Sequence, residues 1–216
     1  MKTKRFQPQW GEVTIRDRGR LPHWEAEGAT YFTTFRLGDS LPQSVLESIR
    51  FERKDILLNA ERQGRQPSAT ELKRLEGLFS ERIEAHLDSG KGACHLANPH
   101  IADMVAGALQ FFDGQRCRQF AWSVMPNHVH AVFRPLPNWP LEKIMHSWKS
   151  FTAKEADKML NRAGAFWEEE YFDHLIRDEE EFYRYIEYVA SNPKRAGLEG
   201  WKWVWVRPGM KPPGGR

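Results

Sequence analysis

The chain has 216 residues, a length that suits one large domain or two small ones. Its 32 Lys and Arg residues barely exceed its 29 Asp and Glu residues, so the net charge of +3 permits a nucleic-acid partner without requiring one. Two cysteines exclude a disulfide scaffold and a four-cysteine zinc site, and no run approaches the roughly 18 apolar residues of a membrane span. We therefore expect a cytoplasmic protein with no membrane partner.

The hydrophobic pattern predicts strands and helices in alternating groups. Strands are indicated by β-branched and aromatic residues, and helices by apolar residues that recur every three or four positions. In chain order we expect a strand at 31–37, helices at 42–59, 68–87 and 98–112, strands at 116–124 and 128–134, helices at 141–160 and 178–192, and a strand at 201–206.

Two features near the end of the chain carry specific expectations. The helix that begins at Asp178 should stop before Pro193, because proline cannot continue the helical hydrogen bonds. Trp201, Trp203 and Trp205 share one face of the last strand. We expect that face to pack against helices rather than to stack on unpaired bases, because sheet faces must be buried.

This order of elements predicts an α+β fold. An antiparallel sheet covered by helices on one side, as in split βαβ folds, accommodates the predicted strands and helices. We expect a single domain over residues 1–206, in which a helical hairpin at about 42–92 is an insertion. Residues 207–216 are expected to form a flexible basic tail.

A candidate metal site lies in the strand predicted at 128–134. Because side chains alternate along a strand, His128 and His130 point to one face, with backbones about 6.6 Å apart, while Val129 points into apolar packing. Two imidazoles on one face can hold a metal ion, but this pattern arises more often from surface histidines or histidines that only form hydrogen bonds. A metal site needs a third ligand.

The helix predicted from Asp178 offers a second pair of polar residues. Tyr188 and Asn192 are four apart and share a strip of helix surface, so a phenol and an amide can face the same ligand. The amide oxygen is a hard donor that suits Mg²⁺ or Mn²⁺. Alternatively, Tyr188 is a half-buried helix tyrosine and Asn192 an ordinary residue at a helix end.

Two groups of basic residues are candidates for contacts with nucleic-acid phosphates. Such groups position a nucleic-acid backbone without reading bases, and a solvated protein face explains them equally well. They are the alternating residues Arg16, Arg18 and Arg20, and the helix face formed by Lys154, Lys158 and Arg162.

Several separated motifs occur in one order with suitable spacing, at residues 124–130 (VMPNHVH), 147–150 (SWKS), 166–174 (FWEEEYFDH) and 186–197 (IEYVASNPKRAG). In these motifs the chain resembles the REP-associated tyrosine transposases, which belong with the single-strand DNA transposases of the HUH superfamily. The resemblance covers roughly residues 20–40 and 93–206.

The resemblance implies an HUH endonuclease fold of ferredoxin-like type, in which His128, His130 and Asn192 bind Mg²⁺ or Mn²⁺ and Tyr188 is the nucleophile. The implied enzyme nicks and rejoins single-stranded or hairpin DNA, such as a REP element of the bacterial nucleoid, through a 5′-phosphotyrosine. Two alternatives stay open, a domesticated hairpin-binding protein without turnover and a metal phosphodiesterase that uses water. The protein acts as a monomer or as a homodimer.

Overall fold

The computed structural model describes residues 14–17, 22–65, 68, 70–71, 74, 77 and 83–210. The strands are β1 Thr14–Asp17, β2 Pro22–Glu25, β3 Thr30–Arg36, β4 Cys117–Val124, β5 His128–Pro135, β6 Phe172–Ile176 and β7 Val204–Val206. The helices are α1 Gln43–Arg62, α2 Ile83–Asp88, α3 Pro99–Phe111, α4 Leu141–Leu160 and α5 Glu179–Arg195, and a short 3-10 turn spans His95–Ala97.

The described strands form a five-stranded antiparallel sheet with the order β6-β3-β5-β4-β7, beside a separate β1-β2 hairpin. The sequence β3-α3-β4-β5-α4-β6 is a βαββαβ unit whose strands lie in the order fourth, first, third, second. This is the ferredoxin-like arrangement, so the predicted α+β fold is confirmed. The fourth strand of the unit is β6, which the sequence did not predict, and β7 is added at the edge beside β4.

Helices cover both faces of the sheet, so the expectation of helices on one side is wrong. On one face, Val129 and Phe133 of β5 pack with Trp148 of α4 and with residues of α3. On the other face, Val132 packs with Ile186 of α5. Because apolar side chains alternate along the central strands, both faces need cover. The helix α5 supplies it on the face to which the histidines point.

The helix α5 is fixed at its start and runs further than expected. The Asp178 carboxylate accepts a hydrogen bond from the amide of Glu181 at 2.7 Å, and Glu181 pairs with His174 of β6 at 2.9 Å. Burial raises the pKa of Glu181, but hydrogen bonds from His174 and the Arg177 amide outweigh it and bring the pKa to about 2. The start of α5 is therefore tied to the sheet.

The predicted stop before Pro193 is wrong, because α5 continues to Arg195. Pro193 removes one N–H group from the helix, but the carbonyls around it keep partners. The amide of Ala196 donates to Asn192 O at 2.9 Å, and the amide of Leu198 donates to Pro193 O at 2.8 Å. Arg195 is consequently held in the helix.

The tryptophan face packs on the core, as expected, with Trp203 buried and the other two partly buried. Trp203 lies in the core, Trp201 and Trp205 pack against it, and Trp205 stacks on Trp122 with ring centroids 6.3 Å apart. The strand itself is shorter than predicted, Val204–Val206. Arg207, at the start of the predicted tail, binds both carboxylate oxygens of Asp113 at 2.6 Å, and residues 211–216 lie outside the described residues.

The segment predicted as an insertion contributes α1 and α2. Leu41, Ile83 and Leu87 form a small apolar cluster against which Val45 and Leu46 pack, so α2 is held against the start of α1. Within the part of the chain that the structure describes, none of the helices has both the length and the apolar character needed to cross a bilayer.

Candidate functional site

Two imidazoles face each other on the central strand β5. His128 and His130 are both fully buried, and their Nε2 atoms are 2.9 Å apart. Both rings lie on the sheet face that α5 covers, while Val129 packs into the core of the opposite face, as the alternation predicted. The sheet therefore aims two nitrogen donors at one point.

The other nitrogen of each ring is held by a neighbour. The Nδ1 atom of His128 lies 2.7 Å from Asn127 Oδ1, and the Nδ1 atom of His130 lies 2.8 Å from Thr34 Oγ1. The amide group of Asn127 donates to Leu87 O and Lys91 O at 3.1 and 3.0 Å, so its oxygen faces His128. His128 must therefore donate from Nδ1, which leaves the lone pair of its Nε2 free for a ligand.

Burial keeps both imidazoles neutral. It lowers the pKa of His128 to about 3. It also lowers the pKa of His130 well below its ordinary value, and the charges of His128 and Arg195 act in the same direction. Neutral imidazole is the form that binds metal ions.

The helix α5 brings Tyr188 against this pair. The Tyr188 ring meets His130 edge-on with ring centroids 5.2 Å apart, and it meets Phe32 in the same way at 5.7 Å. The Tyr188 hydroxyl accepts a hydrogen bond from Asn192 Nδ2 at 3.0 Å. The structure thus places the Tyr188 ring of α5 against His130 of β5, and Asn192 against the Tyr188 hydroxyl, although the two elements are distant in sequence.

The side-chain amide of Asn192 offers its oxygen as a possible metal ligand. Asn192 is fully buried, and its Nδ2 is engaged by Tyr188 and hydrogen-bonds Asp88. Among the described residues, its Oδ1 has no hydrogen-bond partner. Burying an unsatisfied polar atom is costly, so a buried amide oxygen without a partner suits a site that binds a ligand.

The donor set fits a divalent cation. Nowhere in the described ranges do three His, Cys, Asp or Glu side chains come together as metal ligands, so a third donor must be of another type. Two neutral imidazole nitrogens and the Asn192 oxygen are chemically acceptable to Mn²⁺, and the oxygen also suits Mg²⁺.

The Tyr188 phenol is kept protonated. Its pKa is raised first by burial, then by the negative charges of Glu84 and Asp88 and by a hydrogen bond with Glu84, while the charge of Arg195 opposes the shift. A protonated phenol is a weak nucleophile, so attack by Tyr188 requires activation within the site.

Sequence reasoning missed the contribution of the segment predicted as an insertion. Glu84 and Asp88 of α2 act on Tyr188 and Asn192, and the carbonyls of Leu87 and Lys91 hold Asn127. Positions 84 and 88 are four apart in α2, a spacing that places both side chains on one face of the helix. That spacing gives no sign that the face turns towards a helix 100 residues further along the chain.

The basic residues predicted to contact DNA do not join the site. Lys154, Lys158 and Arg162 belong to or follow α4, which packs on the sheet face opposite the histidines. Lys158 pairs with Glu155 at 2.7 Å, and Arg162 lies 3.6 Å from Asp157. The other group is mostly outside the described residues, since Arg16 lies in β1 and positions 18 and 20 are not described.

Residues 100–192 match the family model described as IS200-like transposases. The resemblance to transposases is confirmed over this segment. The segment contains His128, His130, Tyr188 and Asn192, so all four candidate residues lie within the part of the chain that matches this family model.

None of the curated proteins matches the chain. Among solved structures, that of a REP-associated tyrosine transposase bound to a REP hairpin aligns with 88% of this chain and 81% of its own, with a TM-score of 0.44 and 14% sequence identity.

Proposed function

We propose that this IS200-like protein is a metal-dependent endonuclease and strand transferase for single-stranded DNA, and that it carries the 5′ end of the cut strand on Tyr188. The observation that supports this most directly is the contact between α5 and β5. There the Tyr188 ring lies 5.2 Å from the ring of His130, and the Tyr188 hydroxyl lies 3.0 Å from the amide nitrogen of Asn192.

The metal ligands that we propose are His128, His130 and Asn192, with Mg²⁺ or Mn²⁺ as the cation. A bound divalent cation would supply Lewis-acid stabilisation of the charge on nonbridging phosphate oxygens. The protein contributes neutral imidazoles oriented by Asn127 and Thr34, and a buried amide oxygen that has no partner among the described residues.

The proposed reaction breaks one phosphodiester bond and forms another. The Tyr188 oxygen attacks the scissile phosphorus, the bond from phosphorus to the 3′ oxygen breaks, and a 5′-phosphotyrosine and a free 3′-hydroxyl result. The phenol proton passes to Glu84, whose carboxylate hydrogen-bonds the hydroxyl, and the leaving 3′ oxygen takes up a proton from solvent. Attack of a 3′-hydroxyl on the phosphotyrosine reverses these steps, so strands rejoin without ATP.

The substrate that we propose is a REP-type DNA hairpin with a short single-stranded flank. The sequence resemblance to REP-associated tyrosine transposases supports this choice. A flank without a partner strand also suits the site, because a scissile phosphate has to reach the partly buried Tyr188. A paired strand has less freedom to do so.

A covalent trapping experiment tests the proposal. The protein is incubated with Mn²⁺ and a labelled pool of hairpin oligonucleotides with randomised single-stranded flanks, and products are separated on a denaturing gel. We expect a slow protein–DNA band for the wild type and for Tyr183→Phe, which alters a neighbouring tyrosine of α5. We expect none for Tyr188→Phe.

Three outcomes contradict the proposal. Covalent adducts formed by Tyr188→Phe exclude Tyr188 as the nucleophile. Cut DNA without attached protein indicates a phosphodiesterase that uses water, and hairpin binding without any cutting by the wild type indicates a binding protein.

A further inference from the structure

A third functional side chain lies on the same face of α5 as Tyr188 and Asn192. Residues 188, 192 and 195 follow the i, i+4, i+7 spacing that places side chains on one face of a helix. The third of them is Arg195, in the last turn, beyond the proline at which the sequence predicted the helix to stop. Because α5 continues through Pro193, this arginine stays in phase with the tyrosine.

The Arg195 side chain lies over the proposed nucleophile. Its Cζ atom is 5.1 Å from the centre of the Tyr188 ring. Burial lowers the pKa of His130 and raises those of Asp88 and Tyr188, and the positive charge of Arg195 adds to the first shift and opposes the other two. The guanidinium therefore acts electrostatically on groups of β5, α2 and α5. Arg195 is exposed while the groups around it are buried or partly buried, so it stands at the entrance of the site.

This guanidinium forms no close ion pair with a carboxylate in the described part of the chain, unlike several other arginines, although its charge acts on the Asp88 carboxyl. Arg184 pairs with Glu181 at 2.9 Å, and Arg207 pairs with Asp113 at 2.6 Å. For Arg195 the described residues provide the ring of Tyr188 and no ion pair. The dipole of α5 favours a cation at its C-terminal end. The dipole does not explain why the Arg195 side chain lies over the ring of Tyr188. An exposed guanidinium beside the partly buried Tyr188 is suited to bind an anion.

We propose that Arg195 is a catalytic residue that binds the nonbridging oxygens of the scissile phosphate and stabilises their charge in the transition state. The inference rests on the proposed strand transfer at Tyr188. A guanidinium stays charged at any physiological pH and offers paired N–H donors that match phosphate oxygens. The bonds made and broken are those of the Tyr188 reaction, and Arg195 exchanges no proton in it.

Three variants test the role of Arg195. Arg195→Ala should slow adduct formation at saturating DNA by about 100- to 1,000-fold, the usual cost of removing one donor that stabilises transition-state charge. Arg195→Lys should recover part of the rate, because it restores the charge without the paired donors. Lys194→Ala removes the neighbouring exposed cation of the same turn and should stay within about twofold of the wild type.

A neutral substrate separates contact with phosphate from a structural role. At the position that the wild type cuts, one nonbridging oxygen is replaced by a methyl group, which gives an uncharged methylphosphonate. We expect the defect of Arg195→Ala to shrink to below about tenfold on this substrate, because the charge that Arg195 stabilises is largely removed. A variant with a disturbed fold would be equally impaired on both substrates.

Each contrary result has a distinct meaning. If the wild type forms the adduct and Arg195→Ala forms it equally fast, Arg195 is not catalytic although the proposed function stands. Equal losses on the charged and the neutral substrate also overturn the inference, because Arg195 then supports the fold. A wild type that forms no adduct on any hairpin contradicts both the proposed function and the role of Arg195.

Discussion

The orientation of each imidazole depends on one neighbouring oxygen. Asn127 Oδ1 lies 2.7 Å from Nδ1 of His128, and Thr34 Oγ1 lies 2.8 Å from Nδ1 of His130. Such partners fix which nitrogen carries the proton, and they set the direction in which the other nitrogen presents its lone pair. Residues that touch no substrate are therefore expected to control metal affinity.

Thr34→Val tests this dependence. Valine has the shape of threonine but cannot accept the hydrogen bond, so we expect the affinity for Mn²⁺ to fall by about 10- to 100-fold. The matched control is Thr33→Val on the same strand, where the hydroxyl contacts Ala131 O at 3.4 Å rather than an imidazole. Titration calorimetry measures both, and equal affinities for Thr34→Val and the wild type would contradict the prediction.

The buried imidazoles also make stability depend on pH. The pKa of His128 is lowered by burial to about 3, and that of His130 also lies well below its ordinary value. An unfolded imidazole titrates near pH 6.5, so below that pH the unfolded chain binds protons that the folded chain does not. Each imidazole then lowers the free energy of unfolding by up to about 1.4 kcal/mol per pH unit, as the pH falls from about 6.5 towards 3.

Urea unfolding in metal-free buffer between pH 7 and pH 5 measures this effect. The double variant His128→Gln/His130→Gln should lose stability less steeply than the wild type over this range, because it lacks both groups. His100→Gln, which alters an exposed histidine of α3, should keep the wild-type slope. Identical slopes for the double variant and the wild type would show that the imidazoles are not buried in neutral form.

Among the structural elements, the segment predicted as an insertion supports the position of His128. The carbonyls of Leu87 and Lys91 hold the amide group of Asn127, which in turn holds His128. Leu87 is only 1% exposed and packs with Leu41 and Ile83, so the position of α2 depends on this apolar cluster. The segment therefore links packing outside the sheet to the orientation of a proposed metal ligand.

Leu87→Ala tests whether the packing of α2 controls the orientation of the proposed metal ligand. The smaller side chain leaves a cavity that should cost about 2–5 kcal/mol and loosen the end of α2. We expect faster amide hydrogen exchange over residues 83–92 together with weaker binding of Mn²⁺. Phe51→Ala, which alters a side chain of α1 that is 77% exposed, should change neither. Faster exchange with unchanged Mn²⁺ affinity would mean that the segment does not brace the site.

Helices and strands with a clear hydrophobic pattern were predicted with nearly the correct bounds. The helix α4 has the predicted bounds, Leu141–Leu160, and β4 and β5 differ from their predicted bounds by one residue. The strand β6 was missed because Asp173 and His174 interrupt its apolar pattern. Both are buried in the structure.

The candidate site was predictable only in part. The strand period places His128 and His130 on one face, and the helix period pairs Tyr188 with Asn192. Neither period shows that the two pairs lie close together, and that expectation came from the sequence resemblance. The roles of Glu84 and Arg195 were not predicted. The first depends on the packing of α2 against a distant helix, and the second depends on α5 continuing through Pro193.

At the scale of the whole molecule, the sheet separates two surfaces. One carries α5 and the proposed site, and the other carries α3 and α4. The cations Lys154 and Lys158 lie on α4, away from the Tyr188 side. We retain them as proposed contacts for parts of the DNA that are remote from the cut.

The double variant Lys154→Ala/Lys158→Ala tests that separation. We expect weaker hairpin binding, with the slope of log affinity against log salt reduced by about two, since each lost phosphate contact removes about one. The rate of adduct formation at saturating DNA should stay within about twofold of the wild type. Arg195→Ala should show the opposite pattern, and a large loss of rate in the double variant would contradict this assignment of surfaces.

The most direct measurement identifies the residue that carries DNA. After reaction of the wild type with the hairpin pool and Mn²⁺, nucleases trim the bound DNA, the protein is digested, and mass spectrometry locates the modified peptide. We predict a nucleotide joined through its 5′ phosphate to Tyr188. A nucleotide on Tyr183, Tyr185 or any other residue, or cut DNA with no modified peptide, would contradict the account.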